Sequence, residues 1–389
     1  MSPPTIFLVA GEASGDLLGA RLMARLKERT RGAVRFDGVG GPLMQAEGLV
    51  SRFPMQELSV MGIAEVAPRI PQLLRRIRET AAAVIDTKPA IVVTIDAPDF
   101  SFRVAKRVAR AEDHPPLVHY VAPTVWAWRS GRARKIARFL DHLLALFPFE
   151  PPYFEREGLA CSFVGHPAIE GGAGKGDGDA FRRLHGLRTD QKLLVMLPGS
   201  RHGEVARMLP VFIETVRRLL QRHPDLAVVV PVASSVRDAV LLGLGELAVS
   251  PIVVDGEEAK FDAFAAADAA LAASGTVTLE LALSRTPTVV TYKASWLTAA
   301  LVRAVLKTKF AALPNIVLGR MAMPELIQER CNPVDLSAEV DRLLSDAGAR
   351  TEQRRAGEQV AAAMGFGGAS PSMRAADIVL TLTANGGRG

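Results

Sequence analysis

Cysteine and histidine are scarce in this sequence, and their scarcity excludes several classes of protein. The 389 residues include two cysteines, Cys161 and Cys331, which are too few for a disulfide scaffold or a cysteine-rich zinc module. The seven histidines are scattered, without a His-Glu-x-x-His motif or a close pair. We therefore expect no metal site built by the protein, and no cofactor.

Long uncharged apolar runs are also missing. None approaches the ~18–20 residues that a membrane-spanning helix requires. The N-terminus has no basic segment and reaches Glu12 early, unlike a signal peptide, so we expect a cytoplasmic protein. The 47 basic and 41 acidic residues give a net charge of +6, which suits an acidic partner such as nucleic acid, anionic lipid or a phosphorylated small molecule.

Short apolar runs alternate with amphipathic helical segments, which predicts an α/β fold. Runs such as Thr5–Ala10, Ile91–Ile95 and Leu193–Leu197 are typical of parallel strands that are buried on both faces. We predict two Rossmann-like domains facing across a cleft, with ligands beyond the carboxyl ends of the strands. The predicted segments are a first domain at 1–169, a flexible Gly-rich linker at 170–179 (EGGAGKGDGD), a second domain at 180–345, and C-terminal helices at 346–389 that pack back toward the first domain or a partner chain.

Two carboxylates follow the predicted strand Ile91–Ile95. Asp96 and Asp99 lie in the sequence IDAPDFS, at the strand end where an α/β fold places its chemistry. A carboxylate there can take a proton from a hydroxyl nucleophile, or it can cap the next helix. We favour catalysis for Asp96 and a structural role for Asp99.

The turn AGEASGD after the first predicted strand is rich in small residues. Its backbone N–H groups can bind an anion at a helix N-terminus, or Ser14 or Asp16 can simply cap the helix. Glu12 would repel a phosphate, so a sugar hydroxyl is the better ligand. The residues expected on the acceptor-sugar side are Glu12, Ser14, Gly15 and Asp16.

Two strand-to-helix turns of the second domain suit a diphosphate. In LPGSR, Arg201 can present a fork of donors, whereas an ordinary surface arginine there would oppose the helix dipole. In AASGTVTLE, N–H groups and hydroxyls can bind phosphate, and Glu280 can accept ribose hydroxyls or form a salt bridge instead. The candidate residues are Gly199, Ser200, Arg201, Ser274, Gly275, Thr276 and Glu280.

Two basic segments suit an extended anionic surface. Residues 60–79 have an amphipathic pattern typical of a membrane interface, with Pro68 and Pro71 expected to interrupt the helix; a core-facing helix is the alternative. Residues 121–138 combine two tryptophans with several basic residues, which can stack nucleic-acid bases, bind phosphate, lie at lipid headgroups or form a solvated helix. The predicted membrane patch consists of Val66, Ile70, Leu73, Leu74, Ile77, Arg75 and Arg76.

Ten motifs, taken in order, resemble those of one enzyme family. They are AGEASGD, GVGGPLMQAEGL, ELSVMGIAEV, IDAPDFS, HYVAPTVWAWR, FPFEPPYF, FVGHP, LPGSRHGEV, AASGTVTLE and LPNIVLGR. The series resembles the lipid-A-disaccharide synthases. The resemblance implies an inverting GT-B glycosyltransferase that joins UDP-2,3-diacylglucosamine to 2,3-diacylglucosamine 1-phosphate, releases UDP, needs no metal and acts at the inner face of the inner membrane.

The resemblance also implies roles for individual residues. Asp96 is the essential acid, and the family's apolar patch falls on Val66–Ile77; Arg201, Glu280 and Asn315 lie near UDP. An inverting transfer needs a base for the acceptor hydroxyl and stabilisation of the departing UDP, which these residues can supply. A UDP-sugar epimerase of the same shape is the alternative function. Nucleic acid is not expected as a partner, and a homodimer that exchanges the C-terminal helices is left open.

Overall fold

The chain forms two compact units. The computed structural model describes residues 3–58, 63–126, 131–247, 249–294 and 308–386, and the side chains of 63–69 and 385–386 are outside this description. The first unit comprises residues 1–167 and 368–389, and the second comprises residues 168–367. Each unit has a six-stranded parallel sheet flanked by helices, which confirms the predicted fold class of two Rossmann-like domains.

The sheet of the first unit has the strand order β2-β1-β3-β4-β5-β6. The strands are β1 (Thr5–Ala10), β2 (Arg35–Val39), β3 (Ile91–Ile95), β4 (Leu117–Tyr120), β5 (His142–Ala145) and β6 (Ala160–Phe163), and the helices are α1 (Ala13–Thr30), α2 (Pro42–Ala46), α3 (Ile63–Thr87), α4 (Pro98–Val108), α5 (Gly131–Ile136) and α6 (Pro151–Glu155). The strand β3 is buried along its whole length, because helices cover both faces of a parallel sheet.

The sheet of the second unit has the strand order β12-β11-β10-β7-β8-β9. The strands are β7 (Leu193–Leu197), β8 (Ala227–Pro231), β9 (Ile252–Val254), β10 (Ala269–Ala273), β11 (Thr288–Tyr292) and β12 (Glu325–Ile327), and the helices are α7 (Gly178–Leu184), α8 (His202–Leu220), α9 (Arg237–Leu244), α10 (Glu257–Ala266), α11 (Val277–Leu283), α12 (Leu313–Leu318), α13 (Pro333–Ser345) and α14 (Ala347–Ala363).

The last helix, α15 (Pro371–Gly386), returns to the first unit. It packs against α1 of its own chain, and the Arg29 guanidinium donates to Asp377 Oδ2 at 2.8 Å. The predicted C-terminal segment 346–389 is therefore not one body, because α14 stays with the second unit while α15 belongs to the first.

Each sheet contains one place where the direction of strand order reverses. It lies between β1 and β3 in the first unit and between β7 and β10 in the second. At such a switch point the two connections leave in opposite directions, and a crevice opens at the carboxyl ends of the strands. The turns after these four strands are therefore the positions where each unit is expected to bind a ligand.

The Gly-rich segment 170–179 is packed onto the second unit, which differs from the predicted flexible linker. A Cβ added at Gly176 would lie 2.1 Å from the Phe261 carbonyl oxygen, and one at Gly178 would lie 2.7 Å from that of Ala265. Glycine is required at these positions because the backbone runs directly against α10. The boundary between the units falls at Pro167 rather than after residue 169.

Helix α3 runs from Ile63 to Thr87 without interruption, although Pro68 and Pro71 were expected to break it. A proline removes one backbone N–H and usually kinks a helix interior, yet both prolines lie within this helix, beyond its first turn. Within the described ranges, no helix is both long and apolar enough to cross a bilayer.

Candidate active site

Asp96 lies at the carboxyl end of β3, at the switch point of the first unit. Asp96 and Ala97 both have left-handed backbone conformations, with φ of 51° and 43°. The Asp96 N–H donates to the Tyr120 carbonyl at 2.9 Å, and Ser101 Oγ donates to the Asp96 carbonyl at 2.8 Å. Non-glycine residues rarely adopt this conformation, and it is concentrated at functional sites. The turn therefore fixes the direction of the Asp96 side chain.

The turn after β1 meets the Asp96 side chain. Ser14 Oγ donates to Asp96 Oδ2 at 2.8 Å. A Cβ added at Gly15 would lie 3.1 Å from the Ile95 carbonyl oxygen, and one at Gly11 would lie 2.8 Å from Ala97 Cβ. The glycines thus let the two turns come together, so Ser14 and Gly15 lie at the predicted carboxylate.

The other acids of this region have different positions. Asp16 is buried, and its carboxylate accepts the N–H groups of Gly41, Leu43 and Met44 at 2.8, 3.0 and 3.0 Å. It therefore holds the start of α2, and its place on the acceptor-sugar side stays a prediction. Glu12 is exposed and is the N-cap of α1. The Asp99 side chain is fully exposed and lies 3.8 Å from Arg132, while Ala97 is the N-cap of α4.

At the switch point of the second unit, Gly199–Arg201 connect β7 to α8. Gly199 has φ of 119°, and the Ser200 N–H donates to Glu204 Oε2 at 3.3 Å. Arg201 is the N-cap of α8; its side chain is 78% exposed and its guanidinium lies 3.8 Å from Glu204. The long cationic side chain is thus available to an anion beyond the end of β7.

The turn after β10 offers hydroxyl and backbone groups. Ser274 N–H donates to the Thr291 carbonyl at 2.9 Å, and Ser274 Oγ donates to the Ala311 carbonyl at 2.9 Å. Gly275 and Thr276 are exposed. The turn is therefore anchored at Ser274 and open at the next two residues.

Glu280 is ion-paired in the structure. Its Oε2 lies 3.0 Å from Lys260 Nζ, and both side chains are largely buried. Lys260 also lies 2.8 Å from Glu257. The salt bridge that was the structural alternative for Glu280 is present, and a role for Glu280 at ribose stays a prediction.

Asn315 is fully buried and its amide is used internally. Its Nδ2 donates to the Met323 carbonyl at 2.8 Å and to Glu325 Oε1 at 2.7 Å, and its Oδ1 accepts the N–H groups of Ala322 and Met323 at 2.7 and 2.9 Å. Asn315 thus orders the segment before β12, and its position near UDP stays a prediction.

Glu325 was not found from the sequence. Its carboxylate accepts the N–H groups of Ala311 and Ala312 at 2.8 and 2.9 Å, and it joins Asn315 to the backbone that Ser274 contacts. No spacing pattern links residues 274, 311, 315 and 325, so this network becomes visible only in the fold.

The predicted membrane patch on α3 is only partly exposed. Ile70 and Leu74 are 46% and 38% exposed, whereas Ile77 is 4% exposed and belongs to the core. Arg76 is bound by Glu57, with Nε to Oε2 at 2.7 Å and Nη2 to Oε1 at 2.8 Å, and this guanidinium lowers the pKa of Glu57. Ile77 and Arg76 are therefore wrong as surface residues of the patch.

Of the remaining patch residues, Leu73 and Arg75 have described side chains, whereas Val66 does not. Leu73 is half-buried and Arg75 is exposed, while the side chain of Val66 lies outside the described residues, as do Trp128 and Arg129 of the second basic segment. Among the residues that the structure describes, no cluster of three or more His, Cys, Asp or Glu side chains is arranged to hold a metal ion.

Sequence comparison identifies the family. The sequence model described as lipid-A-disaccharide synthetase matches residues 6–379. The lipid-A-disaccharide synthase of Rhodospirillum centenum is 53% identical over 382 residues, covering 98% of this chain and 95% of that protein. The enzyme of the same name from Paramagnetospirillum magneticum is 51% identical over 383 residues, covering 98% of each.

Solved structures share the fold at low sequence identity. An S. aureus MnaA–UDP structure has a TM-score of 0.64 at 14% identity and covers 98% of this chain and 97% of that one. A putative UDP-N-acetylglucosamine 2-epimerase from Listeria monocytogenes has a TM-score of 0.63 at 14% identity, covering 99% and 97%, and the glycotransferase of kitacinnamycin has 0.61 at 17%, covering 98% and 100%. At these identities the likeness to an epimerase shows the fold alone. The full-length family match decides the assignment: the chain belongs to the lipid-A-disaccharide synthetase family and is a glycosyltransferase of the GT-B fold, as its motifs predict.

Proposed function

We propose that the chain joins UDP-2,3-diacylglucosamine to 2,3-diacylglucosamine 1-phosphate. The 6-hydroxyl oxygen of the acceptor attacks the anomeric carbon of the donor sugar, and the bond from that carbon to UDP breaks with inversion. The hydroxyl proton goes to a base, and UDP leaves with its negative charge. The products are a β-1,6-linked lipid A disaccharide 1-phosphate and UDP.

Asp96 is the proposed base, and its placement is the observation that carries the proposal. It follows a buried strand at a switch point, has a left-handed backbone and accepts the Ser14 hydroxyl at 2.8 Å. A base must be held within hydrogen-bond reach of the proton that it removes. The proposed acceptor side of the first unit is the pair of turns that contains Ser14, Gly15 and Asp96.

Arg201 and the turn after β10 are the proposed UDP side in the second unit. The exposed Arg201 guanidinium can neutralise the diphosphate as the bond to UDP breaks, and Ser274–Thr276 can supply hydroxyl and N–H donors. Gly199 and Ser200 let the backbone approach the nucleotide. These groups stabilise the leaving group without requiring a metal ion.

An acceptor-dependent assay tests the proposed reaction. The purified chain is mixed with UDP-2,3-diacylglucosamine, with and without 2,3-diacylglucosamine 1-phosphate, and UDP and disaccharide are quantified. We expect UDP release only with the acceptor, in equal amount to the disaccharide. UDP release at the same rate without the acceptor would contradict the transferase reaction.

The exposed part of α3 supports a peripheral attachment to the cytoplasmic face of the inner membrane. Ile70 and Leu74 are exposed apolar side chains one turn apart on the helix, and Arg75 is exposed beside them. Substrates with acyl chains lie in a bilayer, and an apolar helix face flanked by arginines binds anionic interfaces. We propose Ile70, Leu73, Leu74 and Arg75 as the contact surface.

Vesicle sedimentation tests this surface. The double variant Ile70→Glu/Leu74→Glu should lose most of its binding to anionic vesicles. Each substitution replaces an apolar contact with a negative charge, which the negatively charged vesicle surface repels. Ile85→Glu is a matched control, since Ile85 is equally exposed on the same helix but lies three turns further along. Equal binding by all three proteins would show that α3 does not contact lipid.

A further inference from the structure

A buried carboxyl group, Glu150, connects two turns of the first unit. It lies between β5 and α6 and is 1% exposed. Its Oε2 accepts the N–H groups of Leu146 and Phe147 at 3.0 and 2.9 Å, and its Oε1 accepts Trp126 Nε1–H at 3.1 Å. Three N–H donors therefore point at one carboxyl group, and each of its oxygens accepts at least one hydrogen bond.

The buried position of Glu150 is unfavourable for a charge. Burial raises the pKa of Glu150 to about 7, although the hydrogen bonds from Phe147, Trp126 and Leu146 oppose this rise. Burying a charged carboxylate costs free energy unless hydrogen bonds or an opposite charge offset the loss of water. The Glu150 side chain makes no cap hydrogen bond to the short helix α6; instead it joins the backbone of Leu146 and Phe147 to the side chain of Trp126.

The turn that Glu150 anchors is strained. Val121 follows β4 with φ of 85°, a conformation that β-branched residues almost never adopt. The turn is held at its start by the Val121 N–H, which donates to the Leu144 carbonyl at 3.1 Å. At its other end Trp126 is held by Glu150 and packs edge-on against Phe149, with ring centroids 5.1 Å apart.

The strained turn is continuous with the backbone that holds Asp96. The residue before Val121 is Tyr120, whose carbonyl accepts the Asp96 N–H at 2.9 Å. A shift of residues 121–126 therefore acts on the strand end to which the Asp96 turn is attached. Strain of this kind persists only where surrounding contacts impose it, and the Glu150–Trp126 hydrogen bond is one of those contacts.

We infer that Glu150 is a positioning residue for the transferase reaction, which acts through Trp126 to hold the Val121–Trp126 turn, and with it the Asp96 turn, in the reactive geometry. The inference rests on the proposed function. Glu150 acts without touching the substrate, so its loss changes the rate of the chemical step and leaves donor binding in the second unit unchanged.

Two substitutions remove the same hydrogen bond from opposite sides. In Glu150→Gln, the amide oxygen can still accept from Leu146 and Phe147, but its NH2 group faces the Trp126 N–H, so only that link is lost. Trp126→Phe keeps an aromatic ring against Phe149 and removes the donor. Glu155→Gln is the matched control, because Glu155 is an exposed acid on the adjacent helix α6.

The experiment measures kcat, the KM for UDP-2,3-diacylglucosamine and the thermal midpoint of all four variants, including the double variant. We expect kcat to fall about tenfold or more in each single variant, because small displacements of a reacting group cost up to about 10²-fold, with the donor KM within twofold of wild type. The double variant should be no slower than the slower single variant, and Glu155→Gln should match wild type.

Three results would overturn the inference. The first is a kcat within twofold of wild type for Glu150→Gln. The second is a fall in kcat of the double variant that equals the product of the two single falls. The third is a donor KM that rises as much as kcat falls. Assays well below the lowest thermal midpoint separate positioning from loss of fold, because a purely structural defect is recovered there. A wild-type chain without acceptor-dependent UDP release would instead overturn the proposed function, and the inference with it.

Discussion

Asp96 in the first unit is held from several directions, whereas among the described residues Arg201 in the second unit has one loose contact, with Glu204. Hydrogen bonds fix the Asp96 N–H, its carbonyl and its carboxylate. The Arg201 guanidinium lies 3.8 Å from Glu204 and is otherwise exposed. A base must meet one proton at one angle, while a long cation can follow a flexible diphosphate. The difference in how the two side chains are held thus fits the roles proposed for them.

Removing the proposed base should have the largest effect. In Asp96→Asn the side chain keeps its shape and its contact with Ser14 but cannot accept a proton, so kcat should fall about 10²–10⁴-fold. Disaccharide formation measures the loss, and Asp99→Asn is the control because Asp99 is fully exposed. Full disaccharide synthesis by Asp96→Asn would show that Asp96 is not the base.

Removing the proposed diphosphate ligand should have a smaller effect. Arg201→Ala should lower kcat/KM for UDP-2,3-diacylglucosamine about 10–100-fold, because a hydrogen bond to a charged group contributes about 1.5–3 kcal/mol. Arg217→Ala, at the other end of α8 and paired with Glu214, should leave the kinetics at wild-type values. If both variants behave alike, the charge at position 201 has no role at UDP.

A further prediction concerns stability rather than catalysis, in the response of the first unit to acid. Burial, together with the charge of Arg132, lowers the pKa of His119 to about 3, and burial lowers the pKa of His166 to about 4. Between pH 6.5 and pH 4 the two imidazoles are protonated in the unfolded chain but stay neutral in the folded unit. The free energy of unfolding therefore falls as the pH falls, by up to about 1.4 kcal/mol per pH unit for each imidazole.

Replacing His119 should flatten this dependence. Denaturant unfolding of His119→Gln between pH 7.5 and pH 4.5 should show a shallower loss of stability than wild type, whatever the change in stability at pH 7.5. Parallel curves for the two proteins would mean that the buried ring does not set the response. The curves thereby test whether the acid sensitivity resides in the first unit.

The main architecture and the ends of the key strands could be predicted from the sequence. Buried parallel strands appear as apolar runs, so the residue after each run, such as Asp96, is placed by local pattern alone. Partners that are distant in sequence could not be predicted. Asp16 and Asn315 each have the residue type of a ligand-binding group. Asp16 accepts from backbone N–H groups, and Asn315 bonds to backbone and to the Glu325 carboxylate, partners that only the fold brings near.

Composition also misled where one residue type serves two physical purposes. Glycine gives both flexibility and close backbone approach, and in residues 170–179 the structure uses the second. Apolar spacing on α3 likewise marked Ile77 and Ile70 as one face, although the first is in the core and the second is in solvent. The spacing of apolar residues predicts which face of a helix a side chain lies on. Whether that side chain is buried depends on how far the neighbouring elements extend along the helix.

The return of α15 to the first unit determines the order in which the chain can be completed during synthesis. The first 167 residues leave the ribosome early, but α1 lacks its packing partner until residues 371–386 emerge. The second unit has all of its residues before then. The part of the protein that is translated first is therefore the part that is finished last, and a ribosome that stops before residue 371 releases a chain in which α1 lacks the helix that packs against it.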